Sequence, residues 1–160
     1  MTGKPHSNRL IAVDLDQSIG HGPSAEADHE RRVAIYDLIE DNRFTLLAHP
    51  EGPYRLELST ADGRLMLDVR NAGEERLTLI GLSMSPFRRI VKDYFLICES
   101  YYAAIRTATP SQIETIDMAR RGLHNEGSSL LRERLAGKIE VDFETARRLF
   151  TLVCVLHWRG

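Results

Sequence analysis

Residues 85–134 read SPFRRIVKDYFLICESYYAAIR followed by TATPSQIETIDMARRGLHNEGSSLLRER, and this stretch decides the fold. In its first part, apolar residues recur every three or four positions from Phe87 to Ile105. That spacing predicts an amphipathic helix. Ser85 followed by Pro86 is typical of a helix start, with serine as the N-cap and proline at the first helical position.

A second helix is predicted to follow at once. Thr109 and Pro110 repeat the same start signal, and Gln112 completes a capping-box pattern. Gly122 and Gly127 then interrupt the helical pattern, and each glycine costs about 1 kcal/mol relative to alanine inside a helix. The backbone is therefore expected to kink, to open into a turn, or to let another element approach closely. Whether 110–136 is one kinked helix or two stays open.

Alternating apolar residues predict four strands. One covers the segment RLIAVDLD, which begins at Arg9, and three more lie within 54–83. Asp62 and Gly63 between the first two of these three are a hairpin signal. The third, 77–83, is apolar on both faces and is predicted to be the more central strand. Short antiparallel strands need a cover for their apolar face, which the helices supply.

The remaining segments predict two further helices. Residues 24–42 have a helical pattern, with acidic side chains in the early turns where the helix dipole favours them. Asp142 is expected to cap a last helix over 143–158, although the apolar run 149–157 also suits a strand. We therefore predict an α+β fold, a small mainly antiparallel sheet packed against about four helices. The chain is expected to be a single domain, 1–160, with a disordered tail at 1–8.

The charge distribution favours the C-terminal half as a place for an anionic partner. The net charge is −2, but residues 1–85 carry 9 Lys+Arg against 14 Asp+Glu, whereas residues 86–160 carry 12 against 9. Mutual attraction of the two halves on folding explains the same asymmetry. Nucleic acid is an unlikely partner because the pI is near 6.3 and the arginine pairs are not clearly on one face. Those pairs are at positions 31–32, 88–89, 120–121 and 147–148.

The cysteines and the N-terminus predict a cytoplasmic protein. Cys98 and Cys154 lie in apolar runs, and there is no CxxC motif or disulfide framework. The first ten residues lack the apolar core of a signal peptide. The longest apolar run is far too short to span a bilayer, so we expect no membrane association.

Four sequence blocks resemble Uncharacterised Protein Family 0262, a bacterial family. The resemblance covers nearly the whole chain and implies a bacterial cytoplasmic protein with no established activity. It supplies no catalytic residues, so the candidate sites rest on the residues themselves. The blocks are HERRVAIYDLIE, SPFRRIVKDYFLICESYY, IDMARRGLHNEG and DFETARRLFTLVCVLHWRG.

The first candidate site is the helix start at Ser85. The unpaired N–H groups there carry partial positive charge, yet the sequence adds Arg88, Arg89 and Lys92. Each cation near that end costs roughly 0.3–1 kcal/mol unless a negative group offsets it. The hypothesis is an anion site for a phosphate, a carboxylate or an acidic side chain of a partner protein. The alternative is internal pairing, either with Asp93 or with a carboxylate from the acidic N-terminal half.

The second candidate is the polar segment around the two glycines. Arg120 and Arg121 could bind an anion, while His124, Asn125 and Glu126 form a workable acid/base and orienting set. His124 and Glu126 are two positions apart, however, and do not share a face of an intact helix. The alternative is a helix–helix connection in which the charged side chains are solvated.

Metal and cofactor chemistry have little support. An apolar strand with Asp14 and Asp16 resembles the nucleophile loop of haloacid-dehalogenase phosphatases, but the alternating strands and helices of that fold are absent. The six histidines are scattered, and the H-x-E of His124 to Glu126 lacks the P-C-x-x-C of zinc deaminases. We expect no metal and no cofactor.

Two functional hypotheses follow. The first is a non-catalytic binding or regulatory module that uses a basic helix surface for an anionic ligand or an acidic protein. The second is a small metabolite enzyme, with Arg88 and Arg89 holding an anionic substrate while His124 and Glu126 transfer protons. Convergence of these four side chains in one concave pocket favours the enzyme, and their spread over a convex surface favours the module.

Overall fold

The computed structural model describes residues 7–157 and confirms the α+β class. Six strands and four helices alternate in part along this segment. The strands are β1 (Leu10–Leu15), β2 (Phe44–Leu46), β3 (Tyr54–Ala61), β4 (Arg64–Asn71), β5 (Arg76–Ser83) and β6 (Ile139–Val141). The helices are α1 (Ala25–Glu40), α2 (Arg88–Thr107), α3 (Pro110–Leu135) and α4 (Phe143–Leu156).

The main sheet has the strand order β1-β3-β4-β5. β3, β4 and β5 form the predicted antiparallel meander, and β1 joins it parallel to β3. A parallel neighbour needs a crossover connection, and α1 lies in the connection between β1 and β3. Asp62 and Gly63, with φ of 52° and 74°, form the expected hairpin turn, which requires left-handed backbone at both positions.

The prediction that the third meander strand is central is wrong. β5 lies at the edge of the main sheet, with β4 as its neighbour there. Ile80 and Leu82 face the core, whereas Leu79 is 46% exposed. An apolar residue on the solvent face of a strand is ordinary in soluble proteins, so apolarity on both faces did not indicate a central position.

The starts of three helices follow their capping residues. The Ser24 hydroxyl accepts from the Ala27 amide, Thr109 and Gln112 form the capping box, and Asp142 accepts from the amide of Thr145. The fourth start differs from the prediction, because Ser85 is not an N-cap. It begins a one-turn 3₁₀ helix, Ser85–Phe87, and α2 starts directly after it without a side-chain cap.

α3 is one helix that runs without interruption past both glycines, so the predicted helix–helix connection at Asn125 and Gly127 is wrong. The expected close approach explains Gly127 instead: a Cβ there would overlap the ring of Phe150 on α4. Gly122 has open space around it. The alternative of a strand over 149–157 is also wrong, because α4 runs to Leu156. Trp158, the predicted end, lies outside the described residues.

The core lies between the main sheet and the helices, and a small antiparallel sheet of β2 and β6 borders it. Residues 1–6 of the predicted tail lie outside the described part of the chain. Asn8 is held in the fold, since its side-chain oxygen accepts from the Gly52 amide at 3.0 Å and its carbonyl from the Phe44 amide at 2.9 Å. Between residues 7 and 157, no helix is long and apolar enough to cross a membrane.

Candidate anion-binding site

A cavity of about 410 Å³ lies where α3 and α4 face each other, with one residue of α2 at its wall. Its lining is almost entirely polar, and four of its eight residues are arginines. We call it the arginine pocket. It is lined by Tyr94, Arg120, Arg121, His124, Glu144, Arg147, Arg148 and Thr151.

Helical spacing brings these residues together. On α4, Glu144, Arg147, Arg148 and Thr151 are at intervals of three and four residues and therefore form one stripe. Most of the remaining surface of this helix is buried and apolar, so its position is fixed by the core. α3 lies against α4 and contributes Arg120, Arg121 and His124, which also lie within about one turn of each other.

His124 forms the floor of the pocket. Its Nε2 is 2.8 Å from Oγ1 of Thr151, and the Thr151 hydroxyl donates to the carbonyl oxygen of Arg147 at 3.1 Å. Because that hydroxyl has only one proton to donate, the network assigns the imidazole proton to Nε2. The ring also packs edge-on against Tyr94 and Phe150, at centroid distances of 5.4 and 5.2 Å.

The electrostatic setting keeps His124 neutral. Burial, and then the positive charges of Arg147 and Arg120, lower its pKa from 6.5 to about 4. A general base works best with a pKa near the operating pH. In the structure as it stands, His124 is therefore better suited to a neutral hydrogen-bonding role than to proton transfer near pH 7.

The two arginines of α3 are held by one carboxylate. Asp117 contacts Arg120 at 2.5 Å and Arg121 at 2.6 Å, and the hydrogen bond from Arg120 holds the pKa of Asp117 below its ordinary value. The guanidinium carbon of Arg120 also lies 4.2 Å from the centroid of the Tyr101 ring. These contacts orient both side chains while leaving most of their N–H donors unused.

The two arginines of α4 are held more loosely. Nη1 of Arg147 is 3.5 Å from Oε1 of Glu144, and its buried Nε makes no hydrogen bond within residues 7–157. Nη1 of Arg148 donates to the backbone carbonyl of Asp41 at 3.0 Å, and Nη2 of Arg148 is 4.0 Å from the side-chain carboxylate of Asp41. Of the four, Arg147 thus has a buried donor that the described part of the protein leaves unsatisfied.

The pocket carries positive charge even after its internal partners are counted. Four guanidinium groups and one carboxylate line it. Asp117 and Asp41, which touch the arginines from outside the lining, leave a balance of one positive charge. Guanidinium groups crowded at a concave surface strengthen the local positive potential and attract anions.

The first predicted site lies elsewhere. Ser85, Arg88, Arg89 and Lys92 are all exposed and take no part in the arginine pocket. The side chain of Arg89 is 91% exposed, and its Nε lies 3.7 Å from the carboxylate of Asp93. Asp93 is an internal partner that the sequence suggests. Such an exposed pair contributes little to stability. Binding of an anion at this segment remains a prediction.

The second predicted site is divided by α3. Arg120, Arg121 and His124 meet in the pocket, whereas Asn125 and Glu126 are exposed and absent from its lining. His124 and Glu126 thus lie on different faces of one helix, as their spacing predicted. The four residues of the enzyme hypothesis do not converge.

The sequence predicts three of the eight residues that line the pocket and leaves out the other five. Arg147 and Arg148 enter the sequence analysis only as an arginine pair for nucleic acid, and Tyr94, Glu144 and Thr151 have no predicted role. A usable signal was present, because the stripe Glu144, Arg147, Arg148 and Thr151 is polar on an otherwise apolar helix. The lining also offers no metal site: within residues 7–157, no three His, Cys, Asp or Glu side chains are placed to hold a metal ion.

The structure thus defines an α+β protein whose last two helices form an arginine-lined cavity. Residues 7–159 match the uncharacterised protein family UPF0262. The chain is 63% identical to a UPF0262 protein of Azorhizobium caulinodans and 60% identical to one of Xanthobacter autotrophicus, in both cases over the whole of both chains. A UPF0262 protein of Rhizobium etli is 62% identical over 95% of this chain and 96% of its own. The chain belongs to the UPF0262 family. No solved structure matches it.

Proposed function

We propose that this protein binds a small anionic ligand in the arginine pocket and acts as a non-catalytic binding or regulatory module. One observation carries the proposal: among residues 7–157, four guanidinium groups on two facing helices converge on a cavity that only one carboxylate lines. Arginine is the side chain best suited to hold carboxylate or phosphate groups, because its planar fork donates two parallel hydrogen bonds.

The shape of the site favours a small ligand over an acidic protein. A cavity of about 410 Å³ falls within the usual range of small-molecule pockets, roughly 300–1,000 Å³. An acidic protein surface would need basic side chains spread over an accessible face, which is how Arg88, Arg89 and Lys92 are arranged. The pocket therefore supports the ligand form of the hypothesis.

The enzyme hypothesis has weaker support. Glu126 is outside the pocket, and His124 has a pKa of about 4 and a hydrogen bond to Thr151. Neither residue has the setting that proton transfer near neutral pH requires.

An NMR titration of the full-length protein with sodium phosphate and sodium sulfate tests the proposal. Backbone amides at 120–124 and 144–151 should shift in a saturable way, and the shifts should weaken as sodium chloride rises because salt screens the attraction. Arg147→Gln should reduce them, while Arg89→Gln, at the exposed start of α2 outside the pocket, should leave them unchanged. Shifts confined to 85–92, or none at all up to millimolar anion, would contradict the pocket.

A further inference from the structure

We propose that the ligand of the arginine pocket is a phosphate monoester of a small polyhydroxylated molecule, such as a sugar phosphate, with Arg147 as its principal contact. This inference rests on the anion-binding function proposed above. It adds three points: the anionic group is tetrahedral, the rest of the ligand is polar, and Arg147 is the side chain that binds the anionic group.

The direction of the donors favours a tetrahedral anion. A carboxylate is planar, and a single arginine fork in its plane can satisfy both of its oxygens. Here guanidinium groups approach from α3 and from α4, that is, from two sides of the cavity. A phosphate monoester has three terminal oxygens that point in different directions and a charge of about −1.5 to −2. It can therefore use donors on several sides at once.

Arg147 is the side chain with the most unused capacity at this position. Its Nε is buried without a hydrogen bond in the described part of the chain, and its only carboxylate contact is 3.5 Å long. A buried donor left unpaired lowers the stability of the protein. The guanidinium of Arg147 is therefore not anchored through Nε, and its side chain is 39% exposed and lines the cavity, where its terminal nitrogens can donate to a phosphate oxygen. The other three arginines of the pocket are already oriented by internal partners.

The size of the cavity requires more than the phosphate group. A water molecule occupies about 30 Å³ in the liquid, so the cavity of about 410 Å³ would be mostly water around a free phosphate ion. An organic body attached to the phosphate fills this space and gains contacts with both helices.

The lining indicates that this body is polar rather than aromatic. Tyr94 is the one aromatic wall among the lining residues, and its ring already packs against His124 and Phe150. The nearby Tyr101 ring is not part of the lining, and Arg120 covers one of its faces. Hydroxyl groups, in contrast, can pair with Thr151, Glu144 and the spare guanidinium donors.

Isothermal titration calorimetry of the full-length protein tests the inference with defined probes. The phosphate monoesters are glucose 6-phosphate, ribose 5-phosphate and glycerol 3-phosphate. The comparison probes are inorganic phosphate, citrate, AMP and glucose. At least one of the three monoesters should bind about tenfold more tightly than inorganic phosphate, citrate or AMP, and glucose should not bind.

Variants of Arg147, compared with a variant of an arginine outside the pocket, test whether Arg147 contacts the ligand. Arg147→Gln should weaken the best monoester by about tenfold or more, and Arg147→Lys should weaken it less, because lysine keeps the charge but loses the fork. Arg132→Gln, at an exposed arginine of α3 outside the pocket, should bind within about twofold of wild type. Thermal unfolding of each variant checks that folding is intact.

Any other result of these measurements contradicts a specific part of the inference. Tighter binding of citrate would overturn the phosphate assignment while leaving anion binding in place. Tighter binding of AMP, or equal binding of inorganic phosphate and all three monoesters, would overturn the polyhydroxylated body. Unchanged affinity in a folded Arg147→Gln protein would overturn the role of Arg147. Failure of every anion, sulfate and phosphate included, would overturn this inference together with the proposed function.

Discussion

Gly127 of α3 lies directly against the ring of Phe150 of α4, so closely that a Cβ at position 127 would overlap three ring carbons. Phe150 is fully buried and its ring also packs against His124 and Tyr94. The ring therefore cannot move aside without disturbing its neighbours. This contact sets the distance between the two helices that form the arginine pocket.

Replacing Gly127 by alanine should therefore destabilise the protein. Overpacking of this kind costs about 1–3 kcal/mol, even though alanine gains about 1 kcal/mol of helix propensity. Urea unfolding followed by circular dichroism measures the change in the free energy of unfolding.

Gly122 provides a matched control on the same helix. Its surroundings are open and its position is exposed, so Gly122→Ala should stabilise the protein by about 0.5–1 kcal/mol through helix propensity alone. Equal effects of the two alanine variants would show that the close approach of Phe150 does not determine the packing.

His124 should make stability depend on pH. Its pKa is about 4 in the folded protein against 6.5 unfolded, so between these values the unfolded chain binds more protons. The contribution of His124 is therefore fully present above about pH 6.5 and is lost as the pH falls towards 4, by roughly 1–3 kcal/mol. Proton NMR of the histidine ring measures the pKa directly.

The control for this prediction is His124→Gln, whose amide can still donate to Thr151 but does not titrate. Its free energy of unfolding should change less between pH 7 and pH 5 than that of wild type, a comparison in which carboxylate titration largely cancels. The charged groups that face His124 are Arg147 of α4 and Arg120 of α3, and both remain in the variant. Parallel pH profiles would contradict a depressed His124 pKa.

The sequence predicted those features that depend on local periodicity. α2, α3 and α4 each have apolar stripes at the helical period, and Thr109 and Asp142 each begin a helix with their own side chain. Ser85 does not cap α2 because it lies in a 3₁₀ turn that precedes the helix and that buries Phe87 in the core.

The arginine pocket could be predicted only in part, because it is formed by two elements distant in sequence. Local spacing groups Arg120, Arg121 and His124, and separately groups Arg147 and Arg148. What joins the groups is the packing of α3 on α4, which Gly127 and Phe150 determine. The periodicity of a single helix does not contain that relationship.

Loss of the side-chain amide donor of Asn42 should destabilise the protein. Its buried amide nitrogen donates to the carbonyls of Leu10 at 3.0 Å and Leu38 at 2.9 Å, and its oxygen accepts from the Leu10 amide at 2.7 Å. Asn42→Ala should cost about 1–3 kcal/mol for the unpaired backbone groups. Asn42→Asp should cost more near neutral pH, about 3–5 kcal/mol, because a buried carboxylate would face two carbonyl oxygens.

Urea unfolding at pH 7 and pH 4 measures both Asn42 variants. The deficit of Asn42→Asp relative to Asn42→Ala should shrink at pH 4, since a protonated carboxyl can again donate. Asn125→Asp, at an exposed position of α3, serves as the control and should cost little. An Asn42→Asp protein as stable as Asn42→Ala at pH 7 would contradict the donor role.

Glu144 should oppose anion binding, because it is the only carboxylate lining the arginine pocket within residues 7–157 and the only carboxylate in contact with Arg147 there. Glu144→Gln removes that competitor, so phosphate should bind several-fold more tightly, a gain of about 1 kcal/mol or less at an exposed position. The helix dipole of α4 loses a favourable charge at its first turn, which should lower stability by about 0.3–1 kcal/mol. Affinity and stability should thus change in opposite directions.

Glu133→Gln, an exposed position on α3 outside the pocket, should leave the phosphate affinity unchanged. Weaker phosphate binding by Glu144→Gln would show that Glu144 orients Arg147 for the ligand instead of competing with it.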